Sequence, residues 1–555
     1  VVEIGGRRNR GQRERELAKG PAQSETLCTR GRSLRGKREI PQPPVGEGST
    51  GRSGKAKSRT PDMHGCGKSD GLIVPRKPPN KGGKPSAERV EGRGPTKGNA
   101  EQPTTRRTRS RASVSSGLQR VRDVARKDKE VRFTALLHHV GTDLLRESYY
   151  ALKRKAAPGV DGETWKEYGQ DLENRLADLH GRVHRGGYRA SPSRRTYIAK
   201  ADGRQRPLGI AAVEDKVLQQ ALATVLQQIY EEDFRGFSYG SRPKRGAHDA
   251  LDALWVGLMG KKVNWVLDAD IRGFFDTLDH EWLLKFLEHR IADRRVLRLI
   301  RKWLKAGVLE EGRWSETEEG TPQGAVISPL LANVYLHYVL DLWVEQWRKR
   351  HATGDVIYVR YVDDFVLGFQ HREEAERFLE GLKERIEKFG LTLHPEKTRL
   401  IEFGRFAAQN RKDRGLGKPE TFDFLGFTHY CGKQRKTKRY TVQRKSIAKR
   451  QRAKLKIVRM KLKRRRHRPV AETGAWLRSL VRGYMNYHGV PGNWHALEVF
   501  RREINRSWLF AIRRRSQKHR MPWERFNRTL VHRWIPKVQI THPYPDARFA
   551  AKHPR

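Results

Sequence analysis

Val356-Ile357-Tyr358-Val359-Arg360-Tyr361-Val362-Asp363-Asp364-Phe365-Val366-Leu367-Gly368-Phe369 is the stretch on which the reading of this chain turns. Two β-rich runs flank an acidic pair, and Asp favours tight turns. The stretch therefore predicts a hairpin with Tyr361-Val362-Asp363-Asp364 at its turn. An isolated Asp-Asp pair would be ordinary turn chemistry. Here an aromatic precedes the pair and apolar strands bracket it. A second predicted strand, Trp265-Val266-Leu267-Asp268-Ala269-Asp270, ends in acid 93 residues before Asp363, and a helical pattern begins near His280. Carboxylates at strand ends are the hard oxygen ligands that Mg²⁺ prefers. A pair of such ions ~3.5–4 Å apart acts on both the attacking and the leaving oxygen of a phosphoryl transfer. Side chains alternate along a strand, so Asp268 shares a face with Asp270 and periodicity alone does not choose between them.

Composition sets the context. The 555 residues carry 116 Lys and Arg against 63 Asp and Glu, a formal net charge of +53, which points to a polyanionic partner such as nucleic acid. No run of about 18 apolar residues predicts a membrane span, and the N-terminus has no apolar signal region. Cys28, Cys66 and Cys431 are too scattered for a disulfide scaffold or a zinc-binding CxxC pair, so a reducing cytoplasm is the simplest compartment. The charge is uneven. Residues 1–115 have no Phe, Tyr or Trp and a net charge of +16, which predicts a disordered basic tail. The first methionine is Met63, so residues 1–62 are expected to be upstream sequence read in frame. Residues 116–430 are nearly balanced at +6 and are rich in apolar periodic segments; residues 431–555 carry +31.

The acidic turn Tyr361-Val362-Asp363-Asp364 resembles the YxDD signature of reverse transcriptases. The blocks around it resemble those of the reverse transcriptase-maturases encoded by bacterial group II introns. In order they are residues 156–162 (AAPGVDG), 195–210 (RTYIAKADGRQRPLGI), 214–220 (EDKVLQQ), 237–243 (FSYGSRP), the Asp270 strand, 320–333 (GTPQGAVISPLLAN), 390–398 (GLTLHPEKT) and 422–427 (FDFLGF). The resemblance covers about residues 130–545. It implies an α+β right-hand polymerase: fingers and palm over 116–430, the palm holding an antiparallel ferredoxin-like sheet, then a helical thumb and helical maturase region over 431–555.

The resemblance also implies roles. Asp270, Asp363 and Asp364 are the expected polymerase carboxylates. Asp270 and Asp363 would bind two Mg²⁺ ions directly, with Mn²⁺ as a substitute, Asp364 less directly, and the carbonyl of Ile271 as a further ligand. Asp268 and Asp276 are local competitors, and motif position favours Asp270. Lys200 and Arg206 match positions that contact the incoming dNTP triphosphate. Phe275 matches the aromatic that rejects a ribose 2′-hydroxyl, beside a core Phe274. Gln323 is expected to form the floor of the nucleotide site. Pro329 and the apolar residues after it predict a buried helix. The family usually has Ala where Val362 stands and Gly where Ala325 stands. Val362 is expected to crowd the primer end, with consequences for fidelity or processivity.

Residues 444–468 hold 14 Lys and Arg and no acid, over an apolar stripe of Ile447, Leu455, Val458 and Leu462. After a polymerase palm, this reads as a thumb helix gripping nucleic-acid backbone. Residues 476–488 (WLRSLVRGYMNYH) resemble the maturase motif. Arg464, Arg465 and Arg466, with Arg513, Arg514 and Arg515, are the expected RNA contacts, while Trp476 and Trp508 read as helical core. The expected activity is RNA-directed DNA synthesis on a group II intron RNA, from a DNA primer, together with assistance to splicing and mobility of that intron. No room or cysteine pairs for an HNH endonuclease follow Pro545, so the primer is expected to come from elsewhere. A maturase with a silent polymerase site is the first rival, disfavoured by the intact carboxylates and Gln323. A retron or diversity-generating enzyme is the second, disfavoured by the maturase motif and long basic thumb.

Overall fold

The computed structural model describes residues 104–199, 205–310, 312–316, 319–321, 324–434, 437–516, 518 and 521–553. Its strands are β1 (Ser193–Ala199), β2 (Gln205–Ile210), β3 (Trp265–Asp270), β4 (Val308–Glu310), β5 (Arg313–Ser315), β6 (Val356–Tyr361), β7 (Asp364–Phe369), β8 (Arg399–Glu402), β9 (Phe422–Phe424), β10 (Phe427–Lys433) and β11 (Tyr440–Ser446). They form three sheets, ordered β2-β1-β4-β5, β6-β7-β3-β8 and β11-β10-β9. The second sheet is antiparallel throughout and carries the acidic turn. The α+β class expected from the sequence is therefore what the chain adopts.

The acidic strands read as almost unbroken apolar runs because both faces of their sheet are covered. Leu267, Ala269, Tyr358, Phe365, Leu367 and Phe369 enter one large core, shared with the helices Val213–Asp233 and Ser328–Leu336. The alternate residues Val266, Val359, Val366 and Ile401 enter a second core, under the helix Ala247–Gly260 and the β9–β11 sheet. A slip of one residue would exchange the two sets, so the pattern fixes the register. A third core joins the helices Ala448–Arg464, Val470–His488 and Trp494–Arg513. It contains Leu455, Val458 and Leu462 of the predicted stripe, and Trp508 as expected.

Three expected boundaries move. Residues 1–103 lie outside the described residues, but the helix Thr104–Lys127 begins inside the stretch expected to be a tail. Its Val121 and Ala125 are buried and Arg122 Nε reaches Glu232 at 2.6 Å, so a short apolar stripe is enough to dock it. The division between residues 430 and 431 falls inside β10, which pairs with both β9 and β11. The basic run 444–468 is not one helix. Arg444 to Ser446 end β11, and the helix starts only at Ala448, past Ile447.

Candidate active site

The register of the central sheet assembles the site. Asp270, the last residue of β3, stands directly opposite Asp364, the first residue of β7. Val362 and Asp363 form the two-residue turn from β6 to β7, across which Tyr361 pairs with Asp364. Asp268 sits one same-face step back, opposite Val366, with its carboxylate 3.7 Å from Arg399. Burial pushes its carboxyl up to about 6 against that guanidinium. Asp276 lies beyond the strand and is exposed. Of the two local competitors, neither therefore shares the strand end with the turn.

Desolvation by the packed sheet end, and after it mutual repulsion, raise both turn carboxyls above the ordinary range. Asp270 acts on Asp363, and both Asp363 and Asp270 act on Asp364. Three cations pull the other way. Lys397 Nζ contacts the Asp270 carboxylate, Arg206 on β2 acts on Asp363, and Arg450 in the first turn of the helix Ala448–Arg464 acts on Asp364. Lys397 and Arg450 went unassigned from sequence. Lys397 arrives because residues 390–398 run beside the end of β3: Ile271 bridges Leu393, and the His394 amide donates to the Asp270 carbonyl at 2.7 Å.

The turn is held from below. Arg360, buried on β6, donates to both oxygens of Asp341 at 2.7 and 2.5 Å, to Asn333 Oδ1 at 3.0 Å and to the Val362 carbonyl at 2.9 Å. Block 237–243 lies alongside, with the Tyr239 amide donating to the Arg360 carbonyl at 2.9 Å. Gly240 is required there, since a Cβ would come within 2.5 Å of both Val362 N and Val362 Cγ2. The side chain of Val362 thus packs on Gly240.

Other blocks act as supports. Lys216 Nζ donates to the Ala157 carbonyl at 2.9 Å and Arg194 Nη2 to the Pro158 carbonyl at 2.7 Å, which fixes the loop at 156–162. Asp215 accepts from the Tyr188 hydroxyl, and burial pushes its carboxyl up to about 6. Phe274 is core, its ring edge-on to that of half-buried Phe275. The Phe275 carbonyl accepts from the Thr321 amide at 2.7 Å, which brings the loop before Gln323 against it. Lys200 and Gln323 themselves lie outside the described residues. Pro329 opens the buried helix Ser328–Leu336 as expected.

The second arginine triplet reaches the segment that follows the first. Arg515 donates to the Arg468 carbonyl at 2.6 Å. Arg464, Arg513 and Arg514 are exposed. Arg465 is committed, 3.1 Å from Glu472 and stacked 5.1 Å over Trp476.

Among the described residues, no three His, Cys, Asp or Glu side chains are preassembled around a single metal position. The donor set nonetheless suits a hard divalent cation: carboxylates that repel one another and already attract Lys397. Asp270 and Asp363 would hold it with Asp364 beside them, and the bound cation would supply Lewis-acid stabilisation of phosphate oxygens.

Comparison with known proteins gives the class. Residues 198–429 match the family model described as reverse transcriptase (RNA-dependent DNA polymerase). Protein YkfC of Escherichia coli K12 is 35% identical over 282 residues, covering 44% of this chain and 72% of that protein. The group II intron-encoded protein LtrA of Lactococcus lactis is 35% identical over 238 residues, 42% of this chain and 39% of LtrA. A putative COX1/OXI3 intron 1 protein of Saccharomyces cerevisiae is 26% identical over 308 residues, 46% of this chain and 36% of that protein. The chain belongs to the reverse transcriptase family, among the group II intron-encoded reverse transcriptase-maturases. It spans well under half the length of the curated intron proteins it matches.

Proposed function

We propose that this protein is an RNA-directed DNA polymerase that copies a group II intron RNA into DNA and, by binding that RNA, assists its splicing and mobility. The observation that carries the reading is the pairing of Asp270 with Asp364 across β3 and β7, with Asp363 in the adjoining turn and Arg206, Lys397 and Arg450 around them. Asp270 and Asp363 hold Mg²⁺, with the Ile271 carbonyl as a further ligand and Asp364 as support. Arg206 and Lys200 bind the triphosphate of a dNTP, Gln323 lines its floor, and Phe275 excludes the 2′-hydroxyl. The central sheet is the palm, the β1–β2 hairpin belongs to the fingers, and the helix Ala448–Arg464 begins the thumb. The arginines at 464–466 and 513–515 contact RNA. Among the described residues no helix is long and apolar enough to cross a membrane, and we place the protein in the cytoplasm, beside its RNA.

Primer extension on an RNA template with Mg²⁺ tests the reading. Asp363→Ala is expected to lower synthesis at least ~100-fold, since loss of a mere supporting group at a metal site already costs 10–100-fold. No synthesis by the wild type removes it. Splicing is expected to survive Asp363→Ala. A parallel loss of splicing would mean that the carboxylate serves the RNA fold instead. Phe275→Ala is expected to raise ribonucleotide incorporation, and unchanged sugar discrimination would count against the gate.

A further inference from the structure

The buried Arg360 makes one hydrogen bond that packing alone does not require. An ion pair with Asp341 on the large-core face of the sheet satisfies both charges. Such pairs give little net stability, and apolar residues of similar size commonly serve as well. Yet Arg360 Nη1 also donates to the carbonyl of Val362, 2.9 Å away. That carbonyl belongs to the peptide joining Val362 to Asp363, so holding it fixes the plane from which Asp363 departs. The turn needs holding, because Val362 is a β-branched residue at φ +59°.

The partners of Arg360 are themselves aimed by an irregularity. Asn333 lies in the helix Ser328–Leu336. Asp341 ends a π-helical turn, His337–Asp341, that leads directly into the helix Leu342–Arg350. Eight residues along a regular α-helix leave two side chains about 80° apart; one inserted residue reduces this to about 20°. The π turn thus brings Asn333 and Asp341 to one side of the rod, where one guanidinium bonds both. Asn333 Nδ2 continues to the Gly240 carbonyl at 2.8 Å, and the Tyr358 hydroxyl donates to Asp341 at 3.1 Å.

We propose that Arg360, oriented by Asp341 and Asn333 across the π turn, is a positioning residue that sets the Val362–Asp363 peptide and thereby the aim of Asp363 and Asp364. The proposal rests on the polymerase reading. Two variants test it. Arg360→Met with Asp341→Leu keeps the volume and removes the clamp. Arg360→Lys keeps the charge against Asp341 but has no planar fork to span Asp341 and the Val362 carbonyl. Each is measured by thermal unfolding, by calorimetric titration with Mn²⁺ alone, and by primer extension. Both are expected to stay folded while Mn²⁺ affinity falls ~10–100-fold and kcat falls with it, primer–template KM being unchanged. Wild-type Mn²⁺ affinity and kcat in either folded variant overturns the proposal. Should the double variant fail to fold, Arg360→Lys decides alone. If wild-type protein makes no DNA, the polymerase reading fails, while the Mn²⁺ titration still decides the clamp.

Discussion

At Gly240, a single missing Cβ lets one loop close on the turn that carries Asp363. Alanine there would meet the Val362 amide nitrogen at 2.5 Å and the Tyr361 carbonyl carbon at 2.8 Å. Gly240→Ala is therefore expected to cost about 1–3 kcal/mol in urea unfolding. Val362→Ala should not rescue it, because the obstructing atoms include backbone. The turn carboxyls give a second expectation. Their raised pKa values mean that the ionised forms oppose folding at neutral and higher pH, and this opposition fades as pH falls through the raised values. Asp364→Asn should therefore raise the cation-free unfolding temperature at pH 8, and raise it distinctly less at pH 5. Mg²⁺ should stabilise the wild type more at pH 8 than at pH 5. An equal effect of the substitution at both pH values would contradict the repulsion. The acidic end of β3 and the acidic hairpin turn were legible from sequence because strand ends and turns have local signatures, while the choice of Asp270 over Asp268 rested on the resemblance. Lys397 and Arg450 were not legible, since each reaches the site from a separate element. Arg360 did leave a trace, as a charge inside an apolar strand run.

At the scale of elements, the arginines of the first triplet are unequally committed within the protein. Arg465 is engaged by Glu472 and Trp476, whereas Arg464 is free to face solvent or RNA. Each single-strand phosphate contact contributes ~0.7 to the slope of log affinity against log salt. Replacing Arg464, Arg465 and Arg466 by Gln should lower the intron-binding slope by ~0.7–1.4 rather than ~2.1. Filter binding across a salt series measures it, and an unchanged slope would remove these residues from the RNA contact. The apolar stripe at 455–462 was readable because a helix repeats its face every three or four residues. The stop of β11 at Ser446 was not, because the same basic composition runs through strand and helix.

Across the whole molecule, the C-terminal segment is tied back to the acidic-sheet region. Asp252, buried in the helix Ala247–Gly260, receives Arg444 of β11 at 3.4 Å and Arg548 of the helix Pro545–Lys552. Removing that carboxylate leaves two cations short of a partner. Asp252→Ala is expected to cost about 3–5 kcal/mol in urea unfolding, and a loss below about 1 kcal/mol would mean that the tie contributes nothing. The sequence by itself determined the acidic strand ends, the hairpin and the basic C-terminal charge, because these are encoded in local periodicity, turn chemistry and composition; the class came from the resemblance of its ordered motif blocks to a known family. Only the tertiary structure decided that Asp270 faces Asp364, that a π turn aims Asn333 and Asp341 at Arg360, and that Lys397 and Arg450 flank the carboxylates. Those are pairings between residues tens to hundreds of positions apart, and what fixes them is the packing of two cores against one sheet.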